Sequence, residues 1–187
     1  MSFTLSAADV KNLRDATGAG MMDCKGALTE AEGDFEKAIE ILRKKGQKLS
    51  VKRADRDAKE GVVYAMVSAD GKKGVVIRLS SETDFVAKNE DFVNLAKEFT
   101  QIALDTFPAD LETLLKQPYQ NITIGEKVSE QVGVIGEKIE LADYQHIEAP
   151  QVVSYIHMGN KAGVILGLNN ADAKFRDAGR DVAMQVA

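Results

Sequence analysis

The sequence predicts an α+β protein with a small helical domain at its amino end, and three observations lead to that prediction. Residues 1–46 carry apolar side chains at helical spacing in three short stretches. Residues 61–79 and 151–168 each contain two runs rich in β-branched residues around a glycine-containing turn, which is typical of a β-hairpin. A stretch with helical spacing follows each hairpin. We therefore expect two related subdomains, each a small antiparallel sheet covered by helices.

The composition excludes several classes of protein. The chain has 187 residues, of which 44% are hydrophobic and 28% charged, as in a folded globular protein. No apolar run approaches the length of a membrane span, and Met1–Asp9 does not resemble a signal peptide. The single cysteine, Cys24, cannot form an internal disulfide, so we expect a soluble cytoplasmic protein. The net charge of −5 argues against general nucleic-acid binding.

The three helices of the amino-terminal domain have recognisable start and stop signals. Ser6 and Asp9 match a capping box, and the glycines of Thr17–Gly20 predict the end of the first helix. Asp34 caps the third helix, which we expect to end before Gly46. A compact three-helix bundle of this kind resembles a ubiquitin-associated domain.

The charge distribution along the chain is uneven. Ile41–Glu60 contains eight basic residues against three acidic ones. Two interpretations remain open: a solvated helix end with a linker, or a basic patch for an acidic partner. Residues 47–58 are polar and without strong apolar periodicity, so we expect a basic linker there.

The predicted domain order has four parts. Residues 1–46 form a three-helix partner-binding domain, 47–58 the linker, 59–140 the first core subdomain and 141–187 the second. The second subdomain is expected to be incomplete, because the chain ends inside a helical pattern with no capping signal. We expect the helix of this subdomain to bury an apolar face made of Phe175, Ala178, Val182 and Val186. We also expect its sheet to gain a third strand from Glu140–Glu148. Gly133 and Gly136 are expected inside a helix, where they permit close packing.

The two copies of the strand–turn–strand–helix unit differ in the connection before the helix. This connection has twelve residues in the first copy, Ser80–Asp91, and six in the second, Asn169–Lys174. The longer connection places Phe85 among polar residues. Either Phe85 belongs to an exposed binding site or it folds back onto the core, and the pattern alone favours neither.

Few residues in the chain suggest catalysis or metal binding. His146 and His157 are eleven residues apart and lack a metal-ligand spacing, so we expect no metal site and no catalytic residue. No Walker-type phosphate loop is present, so no bound nucleotide or other cofactor is expected. Cys24 falls on a helical stripe and is predicted to be buried. One of Met21 and Met22 is expected in the core.

Three segments of the sequence resemble the signatures of a known family. Leu13–Leu28 reads LRDATGAGMMDCKGAL, Thr83–Lys88 reads TDFVAK, and Ser154–His157 reads SYIH with Gly163 and Val164 following it. All three resemble segments of bacterial elongation factor Ts, in the same order along the chain. The resemblance extends over the whole chain, although the family continues beyond Ala187.

The resemblance implies guanine nucleotide exchange on elongation factor Tu in the cytoplasm, without covalent chemistry or a cofactor. It implies that Asp84 and Phe85 enter Tu near its second switch and disturb the magnesium site, with Thr83 and Val86 beside them. It also implies further partner contacts at these positions: Lys11, Arg14, Gly18, Ala19, Gly20, Met21, Met22 and His157. The turn Met158–Lys161 departs from the Gly-Gly-Arg sequence expected there, which leaves the role of Lys161 open.

A binding module of another class is the main alternative. The helical domain and the basic linker would then recognise a peptide, a ubiquitin-like surface or RNA. Salt dependence distinguishes these, because RNA binding falls steeply with ionic strength.

Overall fold

The computed structural model describes residues 5–187, and its helices and small sheets confirm the α+β class. The α-helices in this range are α1 (Ala7–Thr17), α2 (Met21–Glu30), α3 (Phe35–Lys52), α4 (Asp84–Ala87), α5 (Glu90–Thr106), α6 (Leu111–Leu115), α7 (Ile124–Ile135) and α8 (Arg176–Val186). The strands are β1 (Glu60–Val67), β2 (Lys73–Ser81), β3 (Pro118–Tyr119), β4 (Ile122–Thr123), β5 (Ile139–Glu148), β6 (Gln151–Ile156) and β7 (Gly163–Leu168). Two 3-10 turns complete the order, at Met158–Asn160 and Ala173–Phe175.

The chain divides into two compact units. The helical unit contains the described residues up to Asp57 together with Glu126–Ile139, and the sheet unit contains Ala58–Gly125 together with Glu140–Ala187. The sequence assigns 126–139 to the first core subdomain, whereas here this segment belongs to the helical unit. The predicted domain bounds otherwise remain a proposal. Among the residues described, no helix has the length and apolar character needed to cross a membrane.

The helical unit begins with the predicted capping signals. The backbone N–H of Asp9 donates to Ser6 Oγ at 3.1 Å, and the N–H of Ser6 donates to the Asp9 carboxylate at 3.1 Å. Gly18 ends α1 with φ +70°, and the Asp34 side chain caps α3. The core contains small and medium apolar side chains from the three helices and from the residues that connect them: Val10, Leu13, Ala19, Cys24, Ala27, Leu28, Ala31 and Ala38. The capping pattern and the burial of Cys24 are thus confirmed.

The prediction that α3 ends before Gly46 is wrong, because the helix continues to Lys52. Gly46 instead permits a close approach between α3 and α7. A Cβ added at Gly46 would lie 2.9 Å from the carbonyl oxygen of Ser129, and one added at Gly133 would lie 2.9 Å from the Cα of Gly46. The predicted role of Gly133 in close packing is confirmed, whereas Gly136 lies beyond α7 with φ +80°.

The residues that follow α3 are held by hydrogen bonds within the same unit. The ammonium group of Lys138 donates to the carbonyl oxygens of Ala54 and Arg56, both at 2.9 Å. Because α3 continues to Lys52, the first half of the predicted linker is helical. Part of its second half is held by Lys138.

The sheet unit contains the two predicted hairpins packed on each other. β1 pairs with β2 and β6 pairs with β7, both antiparallel. A Cβ added at Gly74 would lie 2.6 Å from Val152 Cγ1, and one added at Gly163 would lie 2.8 Å from Val63 Cγ1. Glycine at these two positions thus lets the hairpins approach closely. Helix α5 contacts β1 and β2, and α8 contacts β6 and β7, so each hairpin has its own helix.

Strand β5 joins the first sheet, so its predicted place in the second sheet is wrong. The strand order is β1-β2-β5, while β6 and β7 form a separate two-stranded sheet. Two contacts help hold β5 here. The Arg78 guanidinium on β2 lies 2.7 Å from the carboxylate of Asp143 on β5, and the N–H of Ala149 donates to the carbonyl of Lys72 at 2.9 Å.

The face that α8 buries differs from the prediction. The expected apolar face is exposed along its whole length, from Phe175 through Ala178 and Val182 to Val186. Gly179 and Ala183 are buried instead. A Cβ added at Gly179 would lie 2.9 Å from Leu168 Cδ1, so only a small residue allows α8 to pack this closely on β7.

The contact between Gly46 and Gly133 predicts a large effect of Gly133→Ala on stability. The added methyl group must move the α3 backbone, so we expect the free energy of unfolding to fall by about 1–3 kcal/mol. Gly26→Ala is the matched control, because a Cβ at Gly26 has nothing within 4 Å. That change should raise stability by about 0.5–1 kcal/mol. Urea unfolding of the wild type and of both variants measures these changes. A Gly133→Ala variant as stable as the wild type would contradict the close approach.

Candidate functional site

The connection between β2 and α5 presents Phe85 on a short, well-anchored helix. Ala87, the last residue of α4, is buried, and the Ser81 hydroxyl donates to the carbonyl of Thr83 at 2.9 Å. The next helix starts immediately, because the Asn89 side chain accepts a hydrogen bond from the N–H of Asp91 at 2.8 Å. Phe85 is 84% exposed. Phe85 therefore does not fold back onto the core, and its place in a binding site stays a prediction.

Charged side chains surround α4. The Lys88 ammonium lies 2.6 Å from the Asp84 carboxylate, and this hydrogen bond holds the pKa of Asp84 below its usual value. Lys161 lowers the same pKa further by attraction, to a smaller extent. Lys161 also forms an ion pair with Glu60 at the start of β1. We call Asp84 and Phe85 the tip, and its carboxylate is thus ionised at neutral pH.

His157 lies in the loop between β6 and β7, beside an exposed methionine that the sequence analysis missed. The His157 ring nitrogen Nδ1 is 3.2 Å from the hydroxyl of Tyr155, and the His157 side chain is exposed. Met158 follows it and is 86% exposed. The signal in the sequence is an apolar residue within a polar turn, which is the same signal that singled out Phe85.

The helical unit presents a second exposed apolar site at the start of α2. Met21 is 50% exposed and Met22 is 76% exposed, so the prediction that one of them lies in the core is wrong. Ala19 takes the buried place at this end of the helix instead, and its carbonyl accepts a hydrogen bond from the Cys24 thiol at 3.6 Å. The remaining predicted contact residues of this unit are also exposed: Lys11, Arg14, Gly18 and Gly20.

Cys24 and His146, which could in principle take part in chemistry, are instead part of the packing. Burial raises the pKa of the Cys24 thiol, which makes it a poor nucleophile. The ring of His146 stacks on Tyr144 with centroids 5.5 Å apart and meets the edge of Phe107 at 4.9 Å. These contacts make His146 part of the aromatic packing around β5.

Much of the basic stretch on α3 is paired within the helical unit. Arg43 lies 2.9 Å from the carboxylate of Glu130, and Lys44 lies 2.8 Å from that of Glu40. Lys45 pairs with Asp23. Because the pairs neutralise these three cations, the basic-patch interpretation loses support and the solvated-helix interpretation gains it.

Comparison with known proteins gives one consistent result. The family model described as Elongation factor TS matches residues 82–187, which include α4, His157 and Met158. The chain is 54% identical over 183 residues to elongation factor Ts of Christiangramia forsetii, and 48% identical over 184 residues to that of Flavobacterium johnsoniae. Each alignment covers 98% of this chain. The chain belongs to the elongation factor Ts family.

Membership of the elongation factor Ts family confirms the resemblance of the sequence signatures. The chain spans 66% of the length of the Christiangramia forsetii relative and 57% of the Flavobacterium johnsoniae relative. The contact roles assigned through the resemblance stay predictions. The surroundings of these residues nevertheless set them apart, since Phe85 and Met22 are among the most exposed large apolar side chains of the described chain.

The ion pair at the tip predicts the titration behaviour of Asp84. Lys88→Met removes the hydrogen bond that contributes most to the lowered pKa, so the pKa of Asp84 should rise toward its ordinary value. Carboxyl carbon NMR over an acid titration measures this pKa directly. Lys116→Met removes a similar i,i+4 partner, that of Glu112, and should leave Asp84 unchanged. An unchanged Asp84 pKa in Lys88→Met would show that the pair does not persist in solution.

Proposed function

We propose that this chain promotes GDP release from elongation factor Tu and so acts as a guanine nucleotide exchange factor in translation elongation. The observation that carries the proposal is the exposure of Phe85 on an anchored helix, in a chain of the elongation factor Ts family. The proposal places the protein in the cytoplasm, where Tu works, and requires no cofactor or covalent chemistry of its own.

In this proposal the tip acts on the site that holds the nucleotide. Magnesium and a phosphate-binding loop hold GDP, so displacing either one weakens the binding of the nucleotide. Phe85 would enter between packed elements of Tu near its second switch, with Thr83 and Val86 beside it, while Asp84 disturbs the magnesium site. A bulky side chain can move a whole element because packed interiors shift between discrete arrangements.

The energy available from Phe85 alone is too small for strong exchange. Burying one phenylalanine side chain contributes roughly 1.5–3 kcal/mol. Weakening the binding of GDP a thousandfold requires about 4 kcal/mol. We therefore propose a second contact through the start of α2, where Met21 and Met22 are exposed, and a third through His157. Lys11 and Arg14 on α1 and the turn at Gly18–Gly20 would complete the contact made by the helical unit.

Release of fluorescent GDP from elongation factor Tu tests the tip. The chain should accelerate release, and Phe85→Ala should reduce the acceleration by roughly tenfold or more, because the lost burial corresponds to at least one decade. Phe175→Ala is the matched control, since it removes an exposed phenylalanine from another part of the sheet unit. It should keep the wild-type rate.

The same assay distinguishes the alternatives. No acceleration and no binding of Tu by the wild-type chain would overturn the proposed function. Acceleration that Phe85→Ala leaves unchanged would assign exchange to other residues. Binding to RNA that falls steeply between low and moderate salt would instead support the nucleic-acid module.

The contribution of α2 can be separated from that of the tip. Met22→Ala should weaken binding to Tu by roughly three- to tenfold, as loss of a buried interface side chain does. Release at saturating concentrations should stay near the wild-type rate, because Met22 is not part of the tip. Val51→Ala, which truncates another exposed side chain of the helical unit, serves as the control. An unchanged affinity in Met22→Ala would remove α2 from the proposed interface.

A further inference from the structure

Met158 is as exposed as Phe85, and nothing in the proposed function explains it. The side chains are 86% and 84% exposed, the two highest values among the large apolar residues described. Exposing one such side chain is ordinary, but two in the same neighbourhood form a potential contact surface. Whether they share a neighbourhood depends on what connects α4 to the turn that carries Met158.

The register of the first hairpin supplies the connection. Glu60, the first residue of β1, pairs with Ser81, the last residue of β2, and α4 begins three residues after Ser81. Glu60 also forms an ion pair with Lys161, which directly follows the 3-10 turn Met158–Asn160. One strand end therefore lies beside both the tip and the turn, and β1 contacts both of them.

The charges connect the two segments in the same way. Lys161 pairs with Glu60 and also attracts the carboxylate of Asp84. Glu60 in turn attracts the ammonium group of Lys88. Four charged groups, two acidic and two basic, thus connect α4 with the residue that follows the turn. Because Lys161 pairs with Glu60 at the start of β1, and β1 also contacts α4, the ion pair holds the turn near the tip.

The geometry points to a two-pronged contact surface in which Met158 is a second apolar anchor for the partner that receives Phe85, with Lys161 as the residue that positions the turn. This inference rests on the proposed function and names a further contact for the same partner. The occupant is a protein, elongation factor Tu, with an apolar depression for each prong. A methionine suits such a place because its flexible side chain adapts to an irregular surface.

The charge balance of this surface favours a protein over a polyanion. Glu60 and Asp84 offset Lys88 and Lys161, so these four groups carry no net charge together. A surface that binds phosphates needs an excess of cations. Binding through the two prongs should therefore depend weakly on salt, and the paired charges would set the orientation of the partner.

Affinity measurements on Tu in the GDP-bound form test the second prong. Met158→Ala should weaken binding roughly tenfold, which corresponds to about 1.4 kcal/mol. Met184→Ala makes the same side-chain change at an exposed methionine of α8 and should bind like wild type. Both variants change exposed side chains, so circular dichroism should show an unaltered fold.

Lys161 is tested as a positioning residue by charge and by length. Lys161→Met keeps the side-chain length but loses the attraction to Glu60 and Asp84, so binding should weaken roughly two- to fivefold, within the range of exposed ion pairs. Lys161→Arg keeps the charge and should retain the affinity. Lys174→Met removes a comparable exposed pair with Asp172 and should have no effect.

The outcomes separate this inference from the proposed function. Wild-type binding and exchange together with normal affinity in Met158→Ala would overturn the second prong and leave the exchange proposal intact. Loss of affinity in Met158→Ala but not in Lys161→Met would keep the anchor and remove the positioning role of Lys161. Failure of the wild-type chain to bind Tu would overturn both.

Discussion

The packing of the β1–β2 hairpin on the β6–β7 hairpin is the constraint on which the proposed surface of the sheet unit depends. A side chain at Gly74 would collide with Val152, and one at Gly163 would collide with Val63. Each glycine therefore contributes to how closely the hairpins approach. The loop after β6 carries His157 and Met158, while α4 follows β2. Because both segments extend from the packed hairpins, the approach of the hairpins limits how far apart they lie, and the ion pair of Lys161 with Glu60 adds a further constraint on the turn.

The exposure of Phe85 has a physical meaning because its backbone is fixed. The buried Ala87, the hydrogen bond from Ser81 to the Thr83 carbonyl and the cap at Asn89 hold α4 from both sides. A side chain presented on an ordered backbone loses little conformational entropy when it binds, so more of its burial energy appears as affinity. The same argument applies to Met22 at the start of α2. It applies less strongly to Met158, whose turn is held by the exposed ion pair of Lys161.

The sequence predicts most of the fold because local signals determine it. The capping box of α1, the glycine that ends it and the alternating runs of both hairpins depend only on neighbouring residues. The pairing of β5 could not be predicted in this way, because its apolar pattern suits either sheet and tertiary contacts such as Arg78 with Asp143 decide between them. Gly46 shows the same limit, since a glycine that stops a helix and one that admits another helix look alike in sequence.

The predicted site residues divide along the same line. The sequence singled out Phe85 and Met22, but the pattern could not say that both are exposed. Burial depends on whether another element covers the residue, and that is a tertiary property. Met158 was missed for a related reason. A single apolar residue in a polar turn can pack against a neighbouring element or point outward, and the sequence of the turn does not decide between the two.

Energetics explain why an exchange factor would need several separate contacts. If the bound chain lowers the affinity of Tu for GDP a thousandfold, GDP must lower the affinity of Tu for the chain by the same factor, because linkage is reciprocal. The interface must therefore supply about 4 kcal/mol beyond what holds the complex together. Phe85, at roughly 1.5–3 kcal/mol, falls short alone, and a second buried side chain of similar size closes the difference. An apolar anchor beside the tip contributes most usefully here, since it can hold the tip in place during the displacement that Phe85 causes.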